Sequence, residues 1–328
     1  MAENTDIKEF SFEDLKDAGK HTRLLGIPDN SGGKKIGLPL LFARGVNPGK
    51  TLVATASVHG DELEGVQAIQ DVFRDLDTNK MSGDLIAVPV ANPPAFYAVQ
   101  RESPLDGLNL ARTFPGDENG SPTEQIAFYL GTKIIPQGDF YLDLHSAFTS
   151  LMPTMVGYDA SDTEAGKKSK DAALRMGTPV IWGHPDLGPG RTLSVAADHG
   201  IPWLYMESSS GARVSADKLP FYKNTLLNLL GYLGIIDRET PVSKPELHLI
   251  GSGDVDTTQA VRSAGFFVQK VSLLDRVEKG DLIAEVRDLF GEVIEEVTAD
   301  QTGYVSVLRS NPLVTEGDTV CLISGSIE

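Results

Sequence analysis

The chain has 328 residues, 41% of them apolar, and a formal net charge of −17. That length holds two domains, or one large domain with an appendage, and the composition is that of a soluble globular protein. The acidic balance makes nucleic-acid backbones and anionic membranes poor partners. A single cysteine excludes an internal disulfide and fits a reducing compartment.

No run of about 18 apolar residues is present. The N-terminus is acidic, without the apolar centre of a secretory signal. A cytoplasmic location is therefore expected. The expected partner is a small-molecule substrate, with neither nucleic acid nor membrane, and self-association into a homo-oligomer is left open.

Residues 1–30 read as a polar N-terminal extension with Phe10, Phe12 and Leu15 as docking points, and 29–33 as a turn. Residues 36–42 predict a strand and 47–50 a turn. The apolar run 51–58 predicts a buried strand. After it, Leu63, Val66, Ile69, Val72, Phe73 and Leu76 share one face of a helix. Residues 84–91 predict another strand, ended by Asn92-Pro93-Pro94, and 95–120 a long irregular loop carrying Arg101, Asn109 and Arg112.

Ser121, Pro122 and Glu124 have the spacing of a helix N-terminus with a capping box. Strands follow at 139–144, 178–182 and 201–206, and helices at 161–176, 192–199 and 215–233, with a Gly/Pro loop at 183–190. This alternation predicts an α/β fold: a mostly parallel mixed sheet with helices on both faces, over residues 31–242.

Residues 243–328 change character to short β-like runs. Val277-Glu278-Lys279-Gly280-Asp281 recurs as Val314-Thr315-Glu316-Gly317-Asp318, each copy followed by an apolar run. Two matched turn-and-strand units predict a small C-terminal all-β domain. It resembles the barrel-sandwich fold of biotinyl and lipoyl carriers. No lysine lies between residues 286 and 304, so the resemblance extends to fold only, and a lid, a spacer or an oligomer contact is the expected role.

His59 and Glu62 stand where a strand hands over to a helix, the edge at which open α/β folds bind ligands. An imidazole and a carboxylate three residues apart can reach one metal ion, and both donors suit zinc. His145 ends the strand 139–144 on the same edge and is the best third ligand. Asp143 could orient an imidazole or a catalytic water, and His184 is the reserve ligand. Two histidines and one carboxylate leave a fourth position open, the pattern of catalytic zinc. Glu207 ends the run 201–206 on that edge and is the best separate base. Arg101, Arg112 and Arg191 are candidates for an oxyanion or a substrate carboxylate.

These residues, in this order, carry a resemblance. His59-Gly60-Asp61-Glu62, Arg101, Asn109-Leu110-Ala111-Arg112-Thr113-Phe114-Pro115-Gly116, Asp143-Leu144-His145 and Glu207 resemble the succinylglutamate desuccinylase/aspartoacylase family of zinc carboxypeptidase-like hydrolases. The resemblance implies one zinc ion per chain, bound by His59, Glu62 and His145. It implies Glu207 as general base and later acid, and Arg101 polarising the scissile carbonyl. Arg112 would bind a substrate carboxylate, with Asn109 and Arg191 beside it. The family's Asn-Leu-Asn-Arg reads here with Ala111 at its third position, which removes a side-chain donor from that subsite. The expected activity is zinc-dependent deacylation of a small N-acylated amino acid or amine. A carboxypeptidase and a non-catalytic small-molecule-binding relative are the alternatives.

Overall fold

The computed structural model describes residues 3–28, 36–254 and 258–327; the turn expected at 29–33 lies outside them. In chain order the first part contains β1 (Glu3–Asp6), β2 (Gly19–Ile27), β3 (Ile36–Arg44), β4 (Asn47–Ala56), α1 (Glu64–Asp75), β5 (Ser82–Val88), α2 (Pro93–Ala98), α3 (Pro122–Tyr129) and β6 (Phe140–Leu144). There follow β7 (Ser150–Leu151), β8 (Met155–Asp159), α4 (Glu164–Ala173), β9 (Val180–His184), α5 (Thr192–Asp198), β10 (Trp203–Glu207) and α6 (Leu219–Tyr232). The C-terminal part holds β11 (Leu247–Ile250), β12 (Gln259–Ala260), β13 (Gly265–Gln269), β14 (Arg276–Val277), β15 (Leu282–Arg287), β16 (Val293–Thr298), β17 (Gly303–Arg309), β18 (Leu313–Val314) and β19 (Thr319–Ser326).

The expected mixed α/β architecture is present. The large sheet runs β1-β2-β3-β5-β4-β6-β10-β8-β9-β11 and continues through β19 into the C-terminal part. Its centre, β5-β4-β6-β10, is parallel. Antiparallel β8 then intervenes before β9. Apolar side chains cover both faces. On one, α1, α4 and α6 bury Val66, Ile69, Ala172, Leu226 and Leu230 against Leu52, Leu142 and Leu204. On the other, α3 and α5 bury Ile126, Val195 and Ala196 against Val53, Tyr141 and Trp203. The alternation Leu52/Val53 and Tyr141/Leu142 places successive residues on opposite faces, as a strand period of two requires. Among the described residues no helix is long and apolar enough to cross a membrane.

Several local expectations change. The segment read as a polar extension supplies β1 and β2, and Phe10 and Leu15 are buried in the core. Residues 47–50, expected as a turn, belong to β4, whose register with β5 shifts there. The long loop at 95–120 begins as α2, whose first turn is capped when Asn92 Oδ1 accepts from Ala95 N. The capping box expected at Ser121 is present, with the Glu124 carboxylate accepting from the Ser121 backbone N–H at 2.7 Å. Strand β8 has a weak local signal, because a central glycine breaks its apolar run. Residues 183 and 184 extend β9 rather than open a loop.

In the C-terminal part the repeat is a repeated turn. Glu278 N donates to Asp281 Oδ2 at 2.8 Å, and Thr315 N to Asp318 Oδ2 at 2.9 Å. Gly280 and Gly317 hold the matching left-handed conformations, φ 97° and 89°, which favour glycine. The strands that follow, β15 and β19, enter different sheets around one apolar core of Phe267, Ile283, Val286, Val305 and Ile323. Strand β11 pairs with β9 on one side and β19 on the other, so the backbone hydrogen bonding runs unbroken into this part.

Candidate active site

Strands β4, β6 and β10 are neighbours in the sheet, with Ala56 opposite Leu144 and Leu144 opposite Met206. His59, His145 and Glu207 follow or end these strands, so parallel register alone brings them to one edge. The chain leaves β4 through Ser57, whose φ of 53° turns it out of the sheet. The turn is then pinned: Gly60 N donates to Gln100 O, and Asn92 Nδ2 to Val58 O.

The donor atoms of His59, Glu62 and His145 all lie within 4.8 Å of one another. His59 Nδ1 is 2.7 Å from Glu62 Oε1, and His145 Nδ1 is 2.8 Å from Glu62 Oε2. Each imidazole turns its other nitrogen outward, His59 Nε2 to Asn109 Oδ1 at 3.2 Å and His145 Nε2 to Asp143 Oδ2 at 3.0 Å. Asn109 Oδ1 also accepts from Ala111 N, so it can only take a proton from His59. His59 Nδ1 is then a lone pair facing a carboxylate oxygen, an acceptor against an acceptor. A shared cation resolves that contact. An outer oxygen on each imidazole is what metal-bound histidines require. The residues present therefore fit a divalent ion with nitrogen and oxygen preferences, of which zinc is one.

The electrostatics agree. Burial works against charge on His145, but Asp143 and Glu62 outweigh it and raise its pKa well above the ordinary value. Burial likewise opposes the Glu62 carboxylate, yet the two imidazoles hold its pKa far below normal. Glu207 is pushed the other way, to about 8, first by burial and then by the charge of Glu62. Its Oε1 has no hydrogen-bond partner among the described residues. Arg101 NH1 stands 3.3 Å from His59 Nδ1 and 3.7 Å from Glu62 Oε1, so a positive charge already gathers at this point.

These groups open into a cavity of about 530 Å³ lined also by Arg112, Arg191, Tyr205, Asp186, Asp254 and Thr319. Arg191 NH2 contacts Asp254 Oδ1 at 2.9 Å and Arg112 NH2 comes within 4.0 Å of the same oxygen. Asn109, expected beside the substrate, is placed behind His59 and not in the cavity wall. Asp143 orients His145, one of its two expected tasks, and Thr55 and Thr192 hydroxyls hold it. His184, the reserve ligand, stays outside the cluster: β10 and β8 separate β6 from β9, roughly 14 Å at ordinary strand spacing. Its ring nitrogens serve Tyr205 Oη and Gly251 O.

Sequence reasoning overlooked Tyr205 and Asp254. Tyr205 sits inside an apolar run that hides it, although its spacing of two from Glu207 puts both on one face of the strand. Asp254 carries no local signal and reaches the cavity only because the chain beyond β11 passes over it.

Comparison with known proteins is consistent with this geometry. Residues 48–233 match the family model described as the succinylglutamate desuccinylase/aspartoacylase catalytic domain. The chain is 31% identical over 286 residues to the N-alpha-acetyl-L-2,4-diaminobutyric acid deacetylase of Halomonas elongata, covering 85% of this chain and 83% of that one. It is similar to the product-bound ectoine utilization protein EutE (DoeB) of Ruegeria pomeroyi, with TM-score 0.86, 28% identity, and 95% and 97% of the two chains covered. A succinylglutamate desuccinylase of Silicibacter sp. TM1040 superposes with TM-score 0.84 at 27% identity, over 95% and 97% of the two chains. On these grounds the chain belongs to the succinylglutamate desuccinylase/aspartoacylase family of amide-hydrolysing deacylases.

Proposed function

We propose that the protein is a zinc-dependent deacylase that cleaves the amide bond of a small N-acylated amino acid. The similarity to the Halomonas deacetylase favours an N-acetylated diamino acid as the substrate class. The observation that carries the reading is the convergence of His59 Nδ1, His145 Nδ1 and the Glu62 carboxylate in a cavity that Glu207 also lines.

His59, Glu62 and His145 would hold the zinc ion. Bound there, zinc supplies Lewis-acid polarisation of the carbonyl and eases deprotonation of water near neutral pH. Glu207 takes a proton from the attacking water as its oxygen bonds to the acyl carbon, and returns it to the nitrogen as the C–N bond breaks. The products are a carboxylate and a free amine. A carboxylate whose pKa lies near the working pH suits both transfers. The Arg101 guanidinium, 3.7 Å from Glu62 Oε1, would stabilise negative charge on the carbonyl oxygen. Arg112 and Arg191, which also line the cavity, would offer forks for the substrate carboxylate.

The test is a panel of N-acyl amino acids set against peptides with free C-termini, each product followed separately. Release of acid and amino acid from the acyl substrates is expected. Preferential cleavage of the peptides would replace the deacylase reading with a carboxypeptidase, and no turnover of any member by zinc-loaded protein would remove the catalytic reading.

A further inference from the structure

Tyr205 forms part of the cavity wall, and the deacylation described above gives it no task. It lies two residues before Glu207 on β10, so both project from one face. Directly opposite on β8 is Gly157. A Cβ at 157 would stand 1.9 Å from the Tyr205 ring, so glycine alone lets the ring lie across β8. The ring then reaches β9, where it stacks on His184 with centroids 5.5 Å apart and planes at 29°. The Tyr205 hydroxyl is 2.8 Å from His184 Nε2.

The direction of that hydrogen bond is fixed from the far side of the imidazole. His184 Nδ1 lies 3.0 Å from the carbonyl oxygen of Gly251, which can only accept. Burial pushes the His184 pKa down to about 4, so the ring is neutral at neutral pH. Its one proton is therefore on Nδ1, and Nε2 is a bare lone pair. The Tyr205 hydroxyl must donate to it. Gly253 closes against the same ring, where a Cβ would meet Cε1 at 2.5 Å. His184 is 4% exposed, and this setting leaves it little freedom to turn.

A phenol whose proton is committed offers only oxygen lone pairs to any other group, so Tyr205 can only accept from a donor that reaches its oxygen. The cavity it lines is also lined by Asp186 and Asp254, and by Arg112 and Arg191 of opposite charge. A cavity with guanidinium forks, carboxylates and a fixed neutral acceptor matches a zwitterion bearing one further cationic donor.

We propose that Tyr205, oriented by His184, is the specificity-determining residue that accepts a hydrogen bond from a second, unacylated amino group on the substrate, with Asp186 adding charge. His184 acts through Tyr205 and is a positioning residue. The inference rests on the deacylase reading for the identity of the substrate, but it can be measured without turnover.

The experiment is calorimetric binding of 2,4-diaminobutyrate and of 2-aminobutyrate, which shares the carbon skeleton but lacks the distal amine, to wild-type protein and to Tyr205→Phe. The phenylalanine keeps the ring stack and loses only the oxygen. A hydrogen bond to a charged group corresponds to about a tenfold preference or more, so wild type should bind the diamino acid at least that much tighter. Tyr205→Phe should abolish the preference by weakening the diamino acid alone, and Asp186→Asn should reduce it. Equal binding of the two ligands by wild type overturns the proposal without any variant. So does a preference that survives in Tyr205→Phe, or an equal loss of both ligands, which marks a merely structural role. Deacylation of the two N-acetylated compounds is followed in parallel. If neither is turned over while the binding preference stands, the deacylase reading fails and the subsite does not.

Discussion

Asp143 and His145 meet side by side at the end of β6, with Oδ2 of the carboxylate 3.0 Å from Nε2 of the imidazole. The aspartate is fully buried and is held by the hydroxyls of Thr55 and Thr192. Because it engages Nε2, it leaves Nδ1 for Glu62. Asp143→Asn keeps the volume and loses the charge. Its expected effect is zinc affinity lower by about 10–100-fold, measured by chelator competition. Unaltered affinity would remove Asp143 from the metal's support.

Glu62 is buried, Glu207 is partly buried and feels its charge, and the two separate by role. His59→Ala should yield folded protein without stoichiometric zinc, read by elemental analysis alongside circular dichroism. Glu207→Gln should keep its zinc and lose turnover by about 10²–10⁴-fold, the usual worth of a positioned acid-base group. Full activity in Glu207→Gln would exclude the role assigned to it.

The pKa of Glu207 gives a stability prediction for metal-free protein. Its folded value is about 8 against an ordinary 4.5. The folded state therefore binds this proton more tightly than the unfolded chain does. The stability it contributes is fully present below about 4.5 and is lost as pH rises through 8. Glu207→Gln removes the penalty, on the order of 3–5 kcal/mol at the upper limit. Urea unfolding of chelator-treated protein should show the variant gaining on wild type far more at pH 9 than at pH 5. An equal gain at both pH values would contradict the raised pKa.

Arg112 lines the same cavity as the metal cluster without being part of it. If it binds the substrate carboxylate in the ground state and the transition state alike, its loss changes KM and spares kcat. Arg112→Lys keeps the charge but not the fork, and about a tenfold rise in KM is expected for an N-acyl amino acid. The corresponding N-acyl amine, which has no carboxylate, should be unaffected. A fall in kcat for both would move Arg112 to the reacting bond.

Much of this site was legible in the sequence because a parallel sheet places strand ends side by side. His59, His145 and Glu207 each follow an apolar run, and that suffices to put them on one edge once β4, β6 and β10 are neighbours. Tertiary placement was not legible in the same way. Asn109 lies three residues before Arg112, and the single turn at 110–112 leaves it against His59 Nε2 while Arg112 lines the cavity. Strand β8 is short and carries Gly157, so its local pattern is weak. Its presence nevertheless distances His184 from the metal ligands and gives Tyr205 its bed. The N-terminal residues read as polar because β1 and β2 lie at the sheet's edge, where alternate side chains face solvent.

The central claim is that three side chains, from two separate parts of the chain, share one cation. Anomalous diffraction at the zinc edge, on crystals of zinc-loaded protein, tests it most directly. The account predicts one peak per chain, coordinated by His59, Glu62 and His145, and a deacylase activity that disappears and returns with that peak on chelation and reloading. A peak elsewhere, or undiminished turnover in protein from which the peak is gone, would contradict it.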